Sequence, residues 1–218
     1  MLFLGVGGWV EKMDTRLHSD RTMCVVGPSH SGKTTFVMKL LEYRDVMFRT
    51  PIERIIWCYG HYQPQVHREL EEKGYILHRG IISSDDVQAH DVIVLDDLLN
   101  ESKTSADMTS MFTQAAHHKP CFVIFITQNL YPPGCEARTR SLNTHYYVLM
   151  KNPRDKAQIR VLAQQMMPGK TQEFADLYSK VTQAPHSYLF IDLTQECPEE
   201  LRFRSHLFEK PMFSYKLN

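Results

Sequence analysis

The chain has 218 residues, 43% of them hydrophobic and 23% charged. That length supports a core that folds without disulfide or metal staples, and the composition is that of an ordinary globular protein, not a disordered or fibrous one. Basic and acidic residues balance at 25 each, so net charge points to no polyanionic partner and any nucleic-acid surface has to be a local patch.

The opening "MLFLGVGGWV" is apolar but far short of the roughly 20 residues of a membrane span. It also lacks the basic start and small-residue cleavage site of a secretory signal. Residues 1–21 therefore read as an arm, or as an opening strand, and no membrane partner is expected. "TMCVV" (22–26) predicts a strand and "FVMKLLEYR" (36–44) a helix. "IERIIWCYG" (52–60) is β-branched and aromatic, a strand; "PQVHRELEEKGY" (64–75) has helical spacing, and "YILHR" (75–79) is a short strand. "DVIVLDDLL" (91–99) predicts a buried strand ending in two acids. "SADMTSMFTQAAHHK" (105–119) predicts a helix capped by Ser105 and stopped by Pro120. "CFVIFITQ" (121–128) is the most continuous buried strand, and "HYYVLMK" (145–151) is another. Helices over 156–166 and 171–182, broken at Pro168-Gly169, precede a final strand, "SYLFIDL" (187–193).

Strands that are near-continuous apolar runs, alternating with helices, imply an α/β fold with a mostly parallel central sheet covered by helices on both faces. No repeat or linker interrupts 22–195, so one domain is expected there, with 196–218 as a tail on the body or on a neighbour. Cysteines at 24, 58, 121, 135 and 197 form no C-x-x-C pair. They read as reduced thiols of an intracellular protein, in cytoplasm or nucleus. The 11 histidines are scattered, and the His117-His118 rings diverge on a helix, so they imply no metal cluster.

Chemistry begins at "VVGPSHSGKTTF" (25–36). The spacing Gly27-x-x-x-x-Gly32-Lys33-Thr34 is that of a phosphate-binding P-loop (Walker A). Its glycines let the backbone of Gly27, Pro28, Ser29, His30, Ser31 and Gly32 curl so that N–H groups face phosphate oxygens. The helix start at Lys33, Thr34 and Thr35 adds its positive end. Lys33 supplies a mobile charge for the β- and γ-phosphates, and the Thr34 hydroxyl can ligate Mg2+. An acid pair after "VIVL" delivers carboxylates to that metal, in the manner of a Walker B strand. Asp96 would hold it and Asp97 would polarise the attacking water, although an acidic cap after a strand looks the same in isolation. "FVIFITQN" ends on Thr127, Gln128 and Asn129, polar groups suited to sensing the γ-phosphate. Loop, acids and polar strand end, in that order, describe ATPases with an additional strand between the first two motifs; the strand at 52–60 fits this arrangement, which nucleotide kinases usually lack.

The stretches "GPSHSGKTTF", "IIWCYG", "VIVLDDLL", "FVIFITQNLYPPG", "RTRSLNTHYYVLMKNPRD" and "YLFIDL" together resemble a viral genome-packaging ATPase of the FtsK–HerA class. The likeness is to the poxvirus type carried by Polinton/Maverick elements and adintoviruses, over about residues 20–195. "FITQNLYPPG" and "SLNTHYYVLMKNPRD" discriminate most. The resemblance implies a homo-oligomeric ring, often hexameric, that hydrolyses ATP to pump double-stranded DNA into a capsid, with viral capsid proteins as partners. It makes Gln128 the γ-phosphate sensor and implies an arginine finger acting across a subunit boundary, the candidates being Arg138, Arg140 and Arg154. Many members carry Asp-Glu where this chain has Asp96-Asp97. An arginine supplied in trans accelerates phosphoryl transfer by about 10³–10⁵ in known cases.

The densest basic run, Lys151, Arg154, Lys156 and Arg160, can line a DNA groove, with Lys156 and Arg160 on one helix face. An exposed helix beside a loop explains it equally well. Two other functions fit the same loop: a nucleoside or nucleotide kinase, and a nucleotide-gated capsid assembly module without turnover.

Overall fold

The computed structural model describes residues 13–98, 119–131 and 143–217. In chain order it forms β1 (Thr22–Val26), α1 (Lys33–Glu42), α2 (Arg44–Met47), β2 (Ile55–Tyr59), α3 (Pro64–Glu72), β3 (Ile76–Arg79), β4 (Val92–Asp96) and β5 (Phe122–Thr127). There follow β6 (Tyr146–Met150), α4 (Ala157–Met166), α5 (Thr171–Val181), β7 (Tyr188–Asp192), β8 (Phe203–Ser205) and β9 (Phe213–Tyr215). The nine strands make one sheet in the order β3-β2-β4-β5-β1-β6-β7-β8-β9. Pairing is parallel from β3 through β6 and antiparallel from β6 to β9.

Successive side chains on a strand face opposite ways, and here both ways lead to helices. Met23 and Val25 pack with Phe36, Val37, Leu40 and Leu41 of α1 and with Leu70 of α3. Cys24 and Val26 enter the other core, with Ile159, Leu162 and Ala163 of α4 and Phe174 and Tyr178 of α5. This two-sided burial explains why the central strands are apolar throughout, and it is the α/β architecture expected from the sequence. None of the four described cysteines is joined in a disulfide. No helix among the described residues is long and apolar enough to cross a membrane.

The strand between β1 and β4 is β5; β2, the strand over 52–60, lies beyond β4 and is not the additional one. Val26 is level with Thr127, and Asp96 with Ile126, so three carboxyl ends meet along one edge of the sheet.

The described segments on either side of residues 22–195 pack on this body. Within the described part of the arm, Leu17 is buried and bridges to Phe48. Beyond residue 195 the chain adds β8 and β9 to the same sheet, so the strand over 187–193 is not the last. Their few residues carry too short an alternation to register as strands in the sequence. A buried ion pair holds them: Arg204 Nη2 lies 2.7 Å from Asp192 Oδ2, and Arg204 Nη1 donates to the Thr15 carbonyl at 2.9 Å. Residues 105–118 of the predicted helix lie outside the described residues, as do Arg138, Arg140 and Cys135.

Candidate active site

β1 runs directly into the phosphate-type loop. The Gly27 N–H donates to the Thr127 carbonyl at 3.2 Å, which pins the loop to β5. A side chain at Gly27 is impossible without rearrangement, because its Cβ would stand 2.6 Å from Met150 Cβ and 2.7 Å from Ser31 Oγ. Gly32 has φ +95°, the left-handed region that glycine enters without steric penalty. No side chain caps α1, so the N–H groups of its first turn, which have no intrahelical acceptor, are left for a ligand. The Ser31 hydroxyl is buried without a hydrogen-bond partner. Uncapped amides at a helix start, beside an unmatched hydroxyl, suit an anion.

Lys33 is folded back on this loop, its Nζ donating to the carbonyls of Gly27 at 2.8 Å and Pro28 at 2.9 Å. Burial lowers its pKa, while Asp96 and Asp97 act to raise it. Its charge therefore sits between the loop and the two acids.

Asp96 closes β4 half-buried, and Asp97 follows it exposed. Burial raises the Asp96 pKa; a hydrogen bond from Trp57 opposes that, Asp97 adds to it, and Lys33 and His67 lower it. Asp97 has φ +51°, a region aspartate and asparagine enter several-fold more readily than other non-glycine residues. The shorter acid thus matches this backbone. Its N–H donates to the Ile126 carbonyl at 3.3 Å.

The Thr34 hydroxyl and the carboxylates of Asp96 and Asp97 line one cleft. An all-oxygen donor set, one member desolvated beside a like charge, fits Mg2+, which prefers oxygen ligands and keeps several waters. No group of three or more His, Cys, Asp or Glu side chains among the described residues makes a separate metal site.

At the end of β5 the structure separates three residues that look alike in sequence. The Thr127 hydroxyl donates to the Asn129 carbonyl at 3.0 Å and accepts from the Asn129 N–H at 3.3 Å. The Asn129 side chain accepts from Gln158 Nε2 of α4 at 3.3 Å. Gln128 alone of the three lines the cleft, its Oε1 accepting from Ser29 Oγ at 3.5 Å.

These groups face one open cleft of about 940 Å³, within the size range of small-molecule sites. It is lined by Ser29 to Phe36, Asp96, Asp97, Gln128 and His186 and, on the side of β1 away from the acids, by a far wall of Tyr188, Phe208 and Glu209.

In structure the chain is similar to a viral NTPase. One solved structure that it resembles is the genome packaging NTPase B204 from Sulfolobus turreted icosahedral virus 2, in complex with ATP-gammaS. The two are 14% identical, and the match covers 86% of this chain and 96% of that one with a TM-score of 0.47. No protein-family model and no curated protein matches the chain. A likeness at that identity assigns no role to any residue.

Of the remaining sequence candidates, Arg154 is exposed on the loop after β6, at the same end of the sheet as Gly27. That loop is built as a helix start. Asn152 Oδ1 accepts from the N–H groups of Arg154 at 3.0 Å and Asp155 at 3.1 Å, and Asp155 Oδ1 accepts from Ala157 at 3.1 Å. Lys156 and Arg160 are exposed around the first turn of α4. Lys151 donates from Nζ to the Gln183 carbonyl at 2.5 Å, which ties it to the chain after α5.

Sequence reasoning missed Trp57, whose Nε1 donates to Asp96 Oδ2 at 3.3 Å, and the aromatic far wall. One signal for Trp57 was available: a tryptophan inside a buried strand needs an acceptor for its N–H. Nothing local marks Phe208 as a cleft residue.

Proposed function

We propose that this chain is an ATPase that uses hydrolysis to move double-stranded DNA into a viral capsid. The observation that carries the ATPase part is the convergence, across β4, β5 and β1, of Asp96 and Asp97, Gln128, and the loop with Lys33 in one cleft. In this reading the loop amides and Lys33 bind the β- and γ-phosphates of ATP. Thr34 and Asp96 would hold Mg2+, whose charge would offset that of the phosphate oxygens. Asp97 accepts the proton of the attacking water, and Gln128 contacts the γ-phosphate. The intervening β5 favours this over a nucleoside kinase.

The packaging role is supported by the resemblance of 20–195 to FtsK–HerA packaging ATPases of the poxvirus type, including those of Polinton elements and adintoviruses. The chain then works as a homo-oligomeric ring on the assembling virion, in the host cytoplasm or nucleus. Arg138, Arg140 or Arg154 completes a neighbour's site, and Lys151, Lys156 and Arg160 contact DNA phosphates. Backbone contacts of that kind carry no sequence preference and weaken with salt.

The test is ATP turnover by the assembled protein with and without double-stranded DNA. DNA-stimulated, salt-sensitive hydrolysis is expected. Phosphate transfer to a nucleoside would instead identify a kinase, and tight ATP binding with no turnover in any assembled state would leave a nucleotide-gated assembly module.

A further inference from the structure

The cleft takes in two stretches of different chemistry. The acids of β4 and Gln128 of β5 lie on one side of the loop strand β1, whereas β6, β7 and β8 lie on the other. A triphosphate with its terminal phosphate toward Asp96 and Asp97 has to run its nucleoside the opposite way. Tyr188 opens β7 in register with Met150, the residue packed against Gly27, so β7 reaches the cleft level with the loop.

There the wall turns aromatic. Phe36 of α1 meets Tyr188 edge-on at 4.8 Å between ring centroids and Phe208 at 5.2 Å. Phe208 belongs to the turn between β8 and β9, and that turn is braced from several sides. Tyr43 stacks on the Phe208 ring at 6.0 Å, and Lys39 Nζ stands 5.1 Å from its centroid. The Tyr188 hydroxyl accepts from the Leu207 N–H at 3.0 Å, and the Glu209 N–H donates to the His206 carbonyl at 3.0 Å. Phe208 and Tyr188 are only partly buried, and Glu209 is exposed at the rim. A preformed aromatic wall with a carboxylate, an acceptor only, at its edge matches a flat heteroaromatic ring bearing an exocyclic amino group.

We infer that the turn between β8 and β9, with Tyr188 and the Phe36–Lys39 face of α1, seats the purine base of the nucleoside triphosphate. This rests on the nucleotide reading of the phosphate loop. It gives the C-terminal strands a role in substrate choice: the last segment of the chain closes the base end of the site.

The experiment is calorimetric titration of the full chain with ATP and, separately, with inorganic tripolyphosphate, both with magnesium. Wild type, Phe208→Ala, Phe208→Leu and Lys33→Ala are compared. Removing an aromatic contact to a base weakens binding about tenfold. Phe208→Ala is therefore expected to lose about tenfold in ATP affinity, and Phe208→Leu severalfold. Both should bind tripolyphosphate as the wild type does, which also reports an intact loop; Lys33→Ala should lose both ligands. Unchanged ATP affinity in either Phe208 variant overturns the base seat and leaves the nucleotide reading standing. Equal loss of both ligands in Phe208→Leu overturns it too, making Phe208 a prop for the loop. A wild-type chain that binds neither ligand overturns the nucleotide reading itself.

Discussion

Trp57 and Asp96 are joined by a hydrogen bond, the indole Nε1 donating to the carboxylate at 3.3 Å. The indole is wholly buried in β2, two residues before Tyr59, which pairs with Asp96 across the sheet. Burial makes the charged form of Asp96 costly, and the indole offsets part of that cost. A carboxylate poised this way binds a cation readily, since metal binding relieves the same penalty.

Trp57→Phe keeps an aromatic ring in the core and removes the donor. Because the hydrogen bond favours the charged form, its loss raises the Asp96 pKa further. The acid limb of the ATPase pH profile should then move to higher pH, and half-maximal activity should need about tenfold more Mg2+. Rates at saturating Mg2+ and neutral pH should change little. An acid limb that stays in place would show that the indole does not govern the metal-binding form.

Asp97→Asn is a clean probe of the second acid. Asparagine tolerates the φ of +51° found there, so the backbone is preserved while the proton acceptor is lost. ATP binding should match the wild type and single-turnover hydrolysis should fall by about 10²–10⁴. If hydrolysis persists near the wild-type rate, Asp97 is not the base.

Gly27→Ala tests the loop through sterics alone. The added methyl would overlap Met150 and Ser31, and relieving such a clash typically costs about 1–3 kcal/mol. We expect ATP affinity to fall at least as far as the shift in unfolding midpoint, since the displaced backbone is the ligand-binding surface. Normal affinity with normal stability would mean that the loop yields freely.

Arg204→Ala should destabilise the fold by about 3–5 kcal/mol, because it leaves the Asp192 carboxylate buried without its partner. Urea unfolding measures this. Arg204→Met, which keeps the packing over the Phe190 ring, where the guanidinium carbon lies 4.5 Å from the centroid, recovers only the apolar part. An unaltered midpoint in Arg204→Ala would show that β8 and β9 are held by something else.

Short-range pattern settled much of this protein in advance. Loop curvature is local, so two glycines ahead of Lys33 define a phosphate cradle wherever strand and helix flank them. Burial on both faces writes itself as unbroken apolar runs, so β1, β4, β5 and β6 were readable. What the sequence could not rank were neighbours that meet only across the sheet. By residue type alone Thr127, Gln128 and Asn129 are equivalent, and only the family resemblance singled out Gln128; the fold turns Gln128 toward Ser29 and leaves its flanks to local bonds and α4. Trp57 and Asp96, 39 positions apart, meet only because β2 pairs with β4. Phe208 reaches the cleft on the turn that follows two antiparallel steps beyond β6, to β7 and then β8. Local periodicity records whether a residue is buried. Which residue it is buried against depends on how the chain returns to the sheet, and only the folded structure decides that.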